Sequence, residues 1–141
     1  MWRLKAARVV TLIALSIVAS IAVVAPATPA AAVGCSGSGC NGKDPQVQGC
    51  SPSARTIDEF SFAGIRFEMR YSPQCFAAWT RVTNPVHSNI DFGQIRGGGR
   101  VYGVQAVQGQ VWTKMISFSN VVRTCRAIWF DAPAIECTAS H

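Results

Sequence analysis

Six cysteines offer the most chemistry in this sequence. They lie at positions 35, 40, 50, 75, 125 and 137. A zinc site would favour a C-x2-C pair or several histidines, but no such pair occurs and the only histidines are His87 and His141. An even number of cysteines in a small exported domain is typical of a disulfide framework. We therefore predict no metal site and three disulfides, formed by Cys35, Cys40, Cys50, Cys75, Cys125 and Cys137.

The spacing of the cysteines does not choose among the many pairings that six cysteines allow. We favour a bridge between Cys125 and Cys137, because they lie on neighbouring predicted strands near the C-terminus. The four remaining cysteines would then pair among themselves.

Catalytic groups are scarce. His87 is the only internal histidine, no serine lies in a G-x-S-x-G context, and oxidised cysteines are not nucleophiles. Seven carboxylates are present, but no motif pairs them, and Glu68 lies between Arg66 and Arg70, where a cross-strand ion pair explains it. We predict no catalytic residue and no cofactor. A small hydrolase with an unrecognised carboxylate pair remains an alternative, and replacing Glu68 or Asp91 would test it. The carboxylates available to it are Asp44, Asp58, Glu59, Glu68, Asp91, Asp131 and Glu136.

Arginines and tryptophans on predicted strands are the candidate ligand-binding residues. Aromatic rings on a β face can form a platform for stacking sugars, and arginines can form a basic face. The same side chains could equally be core anchors and the solvent side of a sheet. The candidates are Arg66, Arg70, Trp79, Arg81 and Trp112.

Two glycine-containing tracts resemble binding loops, but each has a simpler interpretation. Gly42–Pro45 lacks the rest of a P-loop and has too few acids for a calcium site, so we predict a turn held by disulfides. The tract Arg96–Arg100 could bind RNA in another setting, whereas in an exported chain a flexible hairpin loop is the better prediction. We predict no nucleic-acid partner.

The first 32 residues have the order of a secretory signal. Met1–Arg8 carries three basic residues, Val9–Ala25 is uncharged and apolar, and Pro26–Ala32 supplies small residues with an A-x-A site. We expect cleavage after Ala32 and no stable membrane anchor afterwards. An uncleaved anchor helix and lipidation of Cys35 are alternatives that we rank lower.

Removing this signal changes the apparent composition. The whole chain carries a net charge of +6 and is 49% hydrophobic, but the signal holds three of its 13 basic residues and no acid. The mature protein is then a mildly basic single domain, in which residues 33–54 form a Cys-rich loop and residues 55–141 a β domain. This charge fits anionic cell-wall polymers better than nucleic acid.

The elements that must position the candidate residues are short strands. Residues 65–71 alternate strictly between apolar and charged side chains, and residues 75–83 favour a strand over a short helix. Residues 86–100 are predicted as a loop, and residues 100–107 and 110–118 as a hairpin around Gln108-Gly109. Two further strands are predicted at residues 122–130 and 134–138. The predicted fold is all-β: after a signal-peptide helix, a small disulfide-stabilised sandwich or barrel of about five to six strands with a Cys-rich N-terminal loop.

Two blocks of this sequence resemble a known family. CSGSGCNGKDPQVQGC (residues 35–50) and RYSPQCFAAWTRV (residues 70–82), and more weakly WTKM and RTCRA, are similar to small exported bacterial domains of unknown function number 2690, also labelled YjfA-like. Phe76 and Met69 depart from the usual arginine and leucine of that pattern. The resemblance implies secretion and a disulfide-bonded β domain, and it carries no established activity.

Together these observations predict a secreted, non-enzymatic domain that binds an extracellular ligand, either a cell-envelope glycan or a protein. A secreted inhibitor or toxin-like effector is an alternative, as is the hydrolase. Neither the ligand nor the oligomeric state follows from the sequence.

Overall fold

Two antiparallel sheets form the protein, and a Cys-rich segment precedes them in the chain. The computed structural model describes residues 32–86 and 90–141. The Cys-rich segment contains two short 3-10 helices, Gly37–Cys40 and Ser51–Ser53. The strands are β1 Arg55–Phe62, β2 Ile65–Ser72, β3 Ala77–Asn84, β4 Phe92–Gly97, β5 Arg100–Gln105, β6 Gly109–Trp112, β7 Ile116–Ser117, β8 Val122–Ala127 and β9 Glu136–Cys137.

The predicted all-β, disulfide-stabilised fold is confirmed. Sheet A has the order β1-β2-β3-β6, with β7 also paired to β3, and sheet B has the order β5-β4-β8-β9. The alternation in β2 buries Ile65, Phe67 and Met69. Met69 packs in one apolar cluster with Ile95 of β4 and Val122 of β8, so the main core lies between the two sheets. The described residues contain nine strands, three of which have two to four residues.

Strand β4 corrects the prediction of a loop at residues 86–100. It lies in the middle of sheet B, and its first four residues are all buried. A strand covered on both sides does not alternate between apolar and polar residues, so the period of two is absent. Gly93 lies so close to sheet A that a Cβ would stand 2.3 Å from Cγ2 of Val82. This glycine therefore reflects tight packing between the sheets.

The predicted hairpin around Gln108-Gly109 is wrong. Strand β5 belongs to sheet B and β6 to sheet A, so this connection crosses between the sheets. The predicted strand 110–118 is also interrupted, because Met115 leaves the sheet to pair with the Cys-rich segment. Its N–H donates to the carbonyl of Lys43, and its carbonyl accepts from the N–H of Gly42, both at 2.9 Å.

The remaining strand predictions differ mainly at their ends. The strand favoured at residues 75–83 is confirmed as β3, which begins two residues later, at Ala77, and ends at Asn84. The predicted strand 122–130 ends at Ala127, and the strand 134–138 shortens to β9. Strand β1 was not predicted.

Three disulfides join the six cysteines in pairs. The favoured bridge, Cys125–Cys137, joins register partners on β8 and β9 and is confirmed. The other four pair among themselves, as Cys35–Cys40 and Cys50–Cys75. Three disulfides indicate an oxidising, non-cytoplasmic environment.

Two predictions concern residues that the structure does not describe. The predicted signal peptide falls almost wholly on residues 1–31, and His87 belongs to the undescribed residues 87–89. Within the described ranges, no helix has the length and hydropathy needed to cross a membrane.

Candidate functional site

The candidate ligand-binding residues lie on three neighbouring strands of sheet A. Because Ile65, Phe67 and Met69 face the core, the residues between them on β2 point to the other side. The register then places their cross-strand neighbours on this outer face of sheet A. Arg70 pairs with Trp79, Glu68 with Arg81, and Arg81 with Trp112.

The Cys-rich segment covers one end of this outer face. The Cys50–Cys75 bridge ties the segment to the residues just before β3. A second small core forms beneath it, in which Trp79 packs with Cys40, Cys50 and Met115. Trp79 is only 3% exposed and therefore supports the site from below instead of offering a free stacking face.

A cleft of about 360 Å³ lies between the segment and the outer face of sheet A. Its volume is within the range of about 300–1,000 Å³ that is usual for ligand pockets. Four of the five candidate residues line it, and Arg66 does not. We call this the arginine–tryptophan cleft; its lining is Gln46, Ser51, Pro52, Arg70, Trp79, Arg81, Gln110 and Trp112.

Glu68 is buried beneath the cleft and organises its arginines. Its carboxylate accepts hydrogen bonds from Nε and Nη2 of Arg81 at 2.7 and 2.8 Å, and from the hydroxyl of Thr56 at 2.8 Å. Burial raises the pKa of Glu68. The hydrogen bonds from Arg81 and Thr56, together with the charges of Arg81 and Arg66, lower the pKa by more than burial raises it. The net pKa lies below its usual value, so Glu68 is ionised at neutral pH and fixes Arg81.

Arg70 is the cation of the cleft that lacks a carboxylate partner. Its guanidinium donates to the hydroxyl of Thr56 and to the carbonyl of Ala54, each at 2.8 Å. Among the described residues, no carboxylate lies within 4.0 Å of it. Burial is the main reason that the pKa of Arg70 is lowered; the charges of Arg81 and Arg66 also lower it, and the charge of Glu68 offsets part of this effect. An anion in the cleft would relieve this repulsion.

Trp112 supplies a half-buried indole ring at the opposite wall. Its Nε1–H donates to Oδ2 of Asp44 at 3.0 Å, which fixes the ring against the Cys-rich segment. The other oxygen of Asp44 accepts from the backbone N–H groups of Gln46 and Val47. The tract Gly42–Pro45 connects a turn at residues 41–42 to a turn at residues 45–49, and Lys43 and Asp44 lie between the two turns.

Arg66 lies apart from the cleft. It forms an ion pair with Glu59 on β1 and lies 3.3 Å from Glu68. Arg66 therefore bridges two carboxylates, which compensate its charge. Glu68 is only 1% exposed and is also held by Arg81, so its carboxylate is fully engaged in ion pairs and hydrogen bonds.

Other acidic side chains are also held by basic partners. Asp91 accepts from Arg126 at 2.8 Å, and both are buried. Asp58 contacts Nε2 of His141 at 2.9 Å, and this hydrogen bond is the main reason that the pKa of Asp58 is lowered.

The four N-terminal cysteines lie close enough to hold a metal. Their sulfur atoms are all within 4.8 Å of one another. In the structure they form two disulfides, which leaves no thiolate for a metal ion.

Sequence reasoning missed half of the cleft. Gln46, Ser51 and Pro52 enter it only because the Cys50–Cys75 bridge brings their segment over the sheet. Gln110 follows from the pairing of β3 with β6, where it is the register partner of Thr83. No local sequence pattern predicts the Cys50–Cys75 bridge or the pairing of β3 with β6.

Comparison with known proteins identifies a family. A family model described as "Protein of unknown function (DUF2690)" matches residues 38–128. This is the family number that the sequence blocks indicated, while the label YjfA-like stays a prediction. No curated protein and no solved structure matches the chain.

Proposed function

The chain belongs to the DUF2690 family of proteins of unknown function, and we propose that it is a secreted, non-enzymatic binding domain whose ligand is an acidic glycan of the cell envelope. The observation that carries the proposal is the arginine–tryptophan cleft, whose lining combines a cation without a carboxylate partner and an indole ring on the opposite wall.

The chemistry of the cleft fits a sugar that carries a carboxylate. A guanidinium group binds a carboxylate through two parallel hydrogen bonds, and Arg70 has only neutral acceptors among the described residues. The ring of Trp112 offers an apolar surface on which the C–H face of a sugar can pack. The amide of Gln110 adds a donor and an acceptor for hydroxyl groups.

The extracellular location is part of the proposal. The disulfides support it, because they persist in oxidising compartments. A signal peptide at residues 1–32, followed by a single mature domain, would explain how the chain reaches such a compartment. N-terminal sequencing of the exported protein tests this part, and we expect the mature chain to begin at Val33.

Binding of the oxidised protein to polygalacturonate, with neutral dextran as the comparison, tests the ligand. We expect saturable binding to polygalacturonate alone. Arg70→Gln removes a charge-assisted hydrogen bond worth about 1.5–3 kcal/mol, so its affinity should fall by about tenfold or more. Trp112→Ala should weaken binding to a similar degree. Arg55→Gln is the matched control, because Arg55 is exposed and does not line the cleft.

Equal affinities for Arg70→Gln and Arg55→Gln would contradict the proposal, because binding would then follow net charge. Absence of binding at both low and high salt would also contradict it. Circular dichroism of each variant separates a lost ligand contact from a lost fold.

A second candidate is a secreted inhibitor or effector that binds a protein. The observation that favours it is an apolar patch beside sheet B, where Ile90 is 75% and Trp129 65% exposed. Such patches are typical of protein interfaces. Growth-inhibition assays with oxidised and reduced protein test this candidate, and inactivity of both forms would remove it.

A further inference from the structure

Three arginines meet on the sheet opposite the arginine–tryptophan cleft. They line an open cleft of about 420 Å³ beside the β4–β5 hairpin and the start of β8. The sequence suggested only a hairpin loop for this tract. We call this second site the triple-arginine cleft; its arginines are Arg96, Arg100 and Arg123.

Two of these arginines lie directly opposite each other. Arg96 on β4 and Arg123 on β8 are register partners on antiparallel strands. Like charges in such positions destabilise a sheet. Arg96 is nevertheless held in place, since its Nε donates to Oε1 of Gln94 at 2.8 Å and its Nη2 donates to the carbonyl of Ala132. These acceptors are neutral, so they orient the cation without compensating its charge.

The glycines of the hairpin bring the third arginine close. A Cβ on Gly97 would lie 2.7 Å from the carbonyl oxygen of Val121, and a Cβ on Gly98 would lie 2.3 Å from Oδ1 of Asn120. Gly98 also has a φ of +54°, which favours glycine. The tract thus lets the hairpin pack tightly against the segment before β8, and Arg100 of the hairpin and Arg123 of β8 line the same cleft.

These charges have no anionic partner in the part of the chain that the structure describes. Arg123 is exposed, and no hydrogen bond or ion pair joins its guanidinium group to the described residues. Arg100 donates only to the carbonyl of Gly98, at 3.2 Å. In residues 32–86 and 90–141, no carboxylate lies within 4.0 Å of any of the three guanidinium groups. The site therefore concentrates positive charge that an anion would neutralise.

We propose that the triple-arginine cleft binds a phosphate group. Three guanidinium groups present more N–H donors than the two oxygens of a carboxylate can accept, whereas a phosphate offers more acceptor oxygens in a compact shape. Access is open, because nothing lies within 4 Å of the position that a Cβ of Gly99 would occupy. This proposal does not depend on the glycan proposal, because the two clefts lie on different sheets.

Calorimetric titration of the oxidised protein with pyrophosphate, at about 150 mM salt, tests the site. We expect saturable binding of one pyrophosphate. Arg123→Gln should weaken it by about tenfold or more, since a charge-assisted hydrogen bond is lost. Arg123→Lys keeps the charge without the planar fork and should have an intermediate affinity. Lys114→Gln is the control, because this exposed lysine lies outside the cleft and its loss changes net charge equally.

Parallel titrations with inorganic phosphate and with polyphosphate distinguish a free phosphate from a polymer-borne one. Binding of inorganic phosphate and binding of polyphosphate both support the proposal if Arg123→Gln weakens that binding and Lys114→Gln does not. No saturation with pyrophosphate, or equal weakening by Lys114→Gln and Arg123→Gln, would overturn it. Binding seen only with duplex DNA and abolished by moderate salt would also overturn it, since this would identify a nonspecific polyelectrolyte surface.

Discussion

Replacement of Glu68 by glutamine probes the charge that supports the arginine–tryptophan cleft. The Glu68 side chain is 1% exposed and receives three hydrogen bonds, two of them from Arg81. Glutamine keeps the size of the side chain but removes the negative charge and one acceptor oxygen. Arg81 and Arg66 then face each other without the carboxylate between them, and we expect the free energy of unfolding to fall.

The solvent exposure of Glu68 and Arg81 determines how much the free energy of unfolding should fall. Breaking a fully buried ion pair costs about 3–5 kcal/mol, whereas an exposed pair contributes about 0–1 kcal/mol. Glu68 is buried, but the Arg81 side chain is 26% exposed, so solvent offsets part of the loss. We therefore expect Glu68→Gln to lower the free energy of unfolding by about 2–3 kcal/mol at neutral pH.

The loss should depend on pH. The pKa of Glu68 in the folded protein lies below its ordinary value of 4.5. The ion pair therefore contributes its full stability above that value and loses it as the pH falls through the lower folded-state pKa. Because glutamine resembles the protonated acid, the difference between wild type and Glu68→Gln should shrink in acid.

Urea unfolding followed by tryptophan fluorescence, from neutral pH into acid, measures this difference. Glu59→Gln is the matched control on the neighbouring strand, since Glu59 and its partner Arg66 are both nearly half exposed. It should cost less than about 1 kcal/mol. A difference for Glu68→Gln that is no larger than for Glu59→Gln, or that does not change with pH, would refute this reasoning.

Three further predictions concern the fold and the walls of the cleft. Gly93→Ala should lower the free energy of unfolding by about 1–3 kcal/mol in urea titrations, because its Cβ would overlap a buried valine of β3; an unchanged midpoint would contradict the packing. Replacing Cys50 and Cys75 together by serine frees a loop of 25 residues and should cost about 3.5 kcal/mol on chain-entropy grounds. A calorimetric melting temperature equal to that of the wild type would argue against this bridge. Asp44→Asn leaves one oxygen for either the Trp112 indole or the backbone N–H groups of Gln46 and Val47, and it should cost about 1–2 kcal/mol; an unchanged free energy of unfolding would contradict this arrangement.

The sequence predicted well those features that local patterns carry. The alternation in Ile65–Ser72 identified β2 and, with it, the face that holds the arginines. The cysteine count indicated three bridges, and the neighbouring positions of Cys125 and Cys137 gave the right pair. Four of the five candidate ligand-binding residues line one cleft, because period-two alternation on adjacent strands places them on one face.

Features that depend on contacts distant in sequence were not predictable. Strand β4 does not alternate, because it is buried on both faces. The hairpin prediction failed because Gly109 begins a strand that pairs with β3 instead of β5. Trp79 was a candidate for stacking, but the Cys-rich segment, which the Cys50–Cys75 bridge holds in place, covers it. No local sequence pattern shows that Cys50 pairs with Cys75.

Nuclear magnetic resonance titration with an oligogalacturonate tests the central claim most directly, because it locates the ligand on the protein. We predict that the indole N–H of Trp112 and the guanidinium N–H groups of Arg70 and Arg81 shift together as the ligand saturates one site. Arg55, which lies outside the cleft, should not shift. Spectra that do not change, or changes confined to the arginines of sheet B, would contradict the assignment of the arginine–tryptophan cleft as the glycan site.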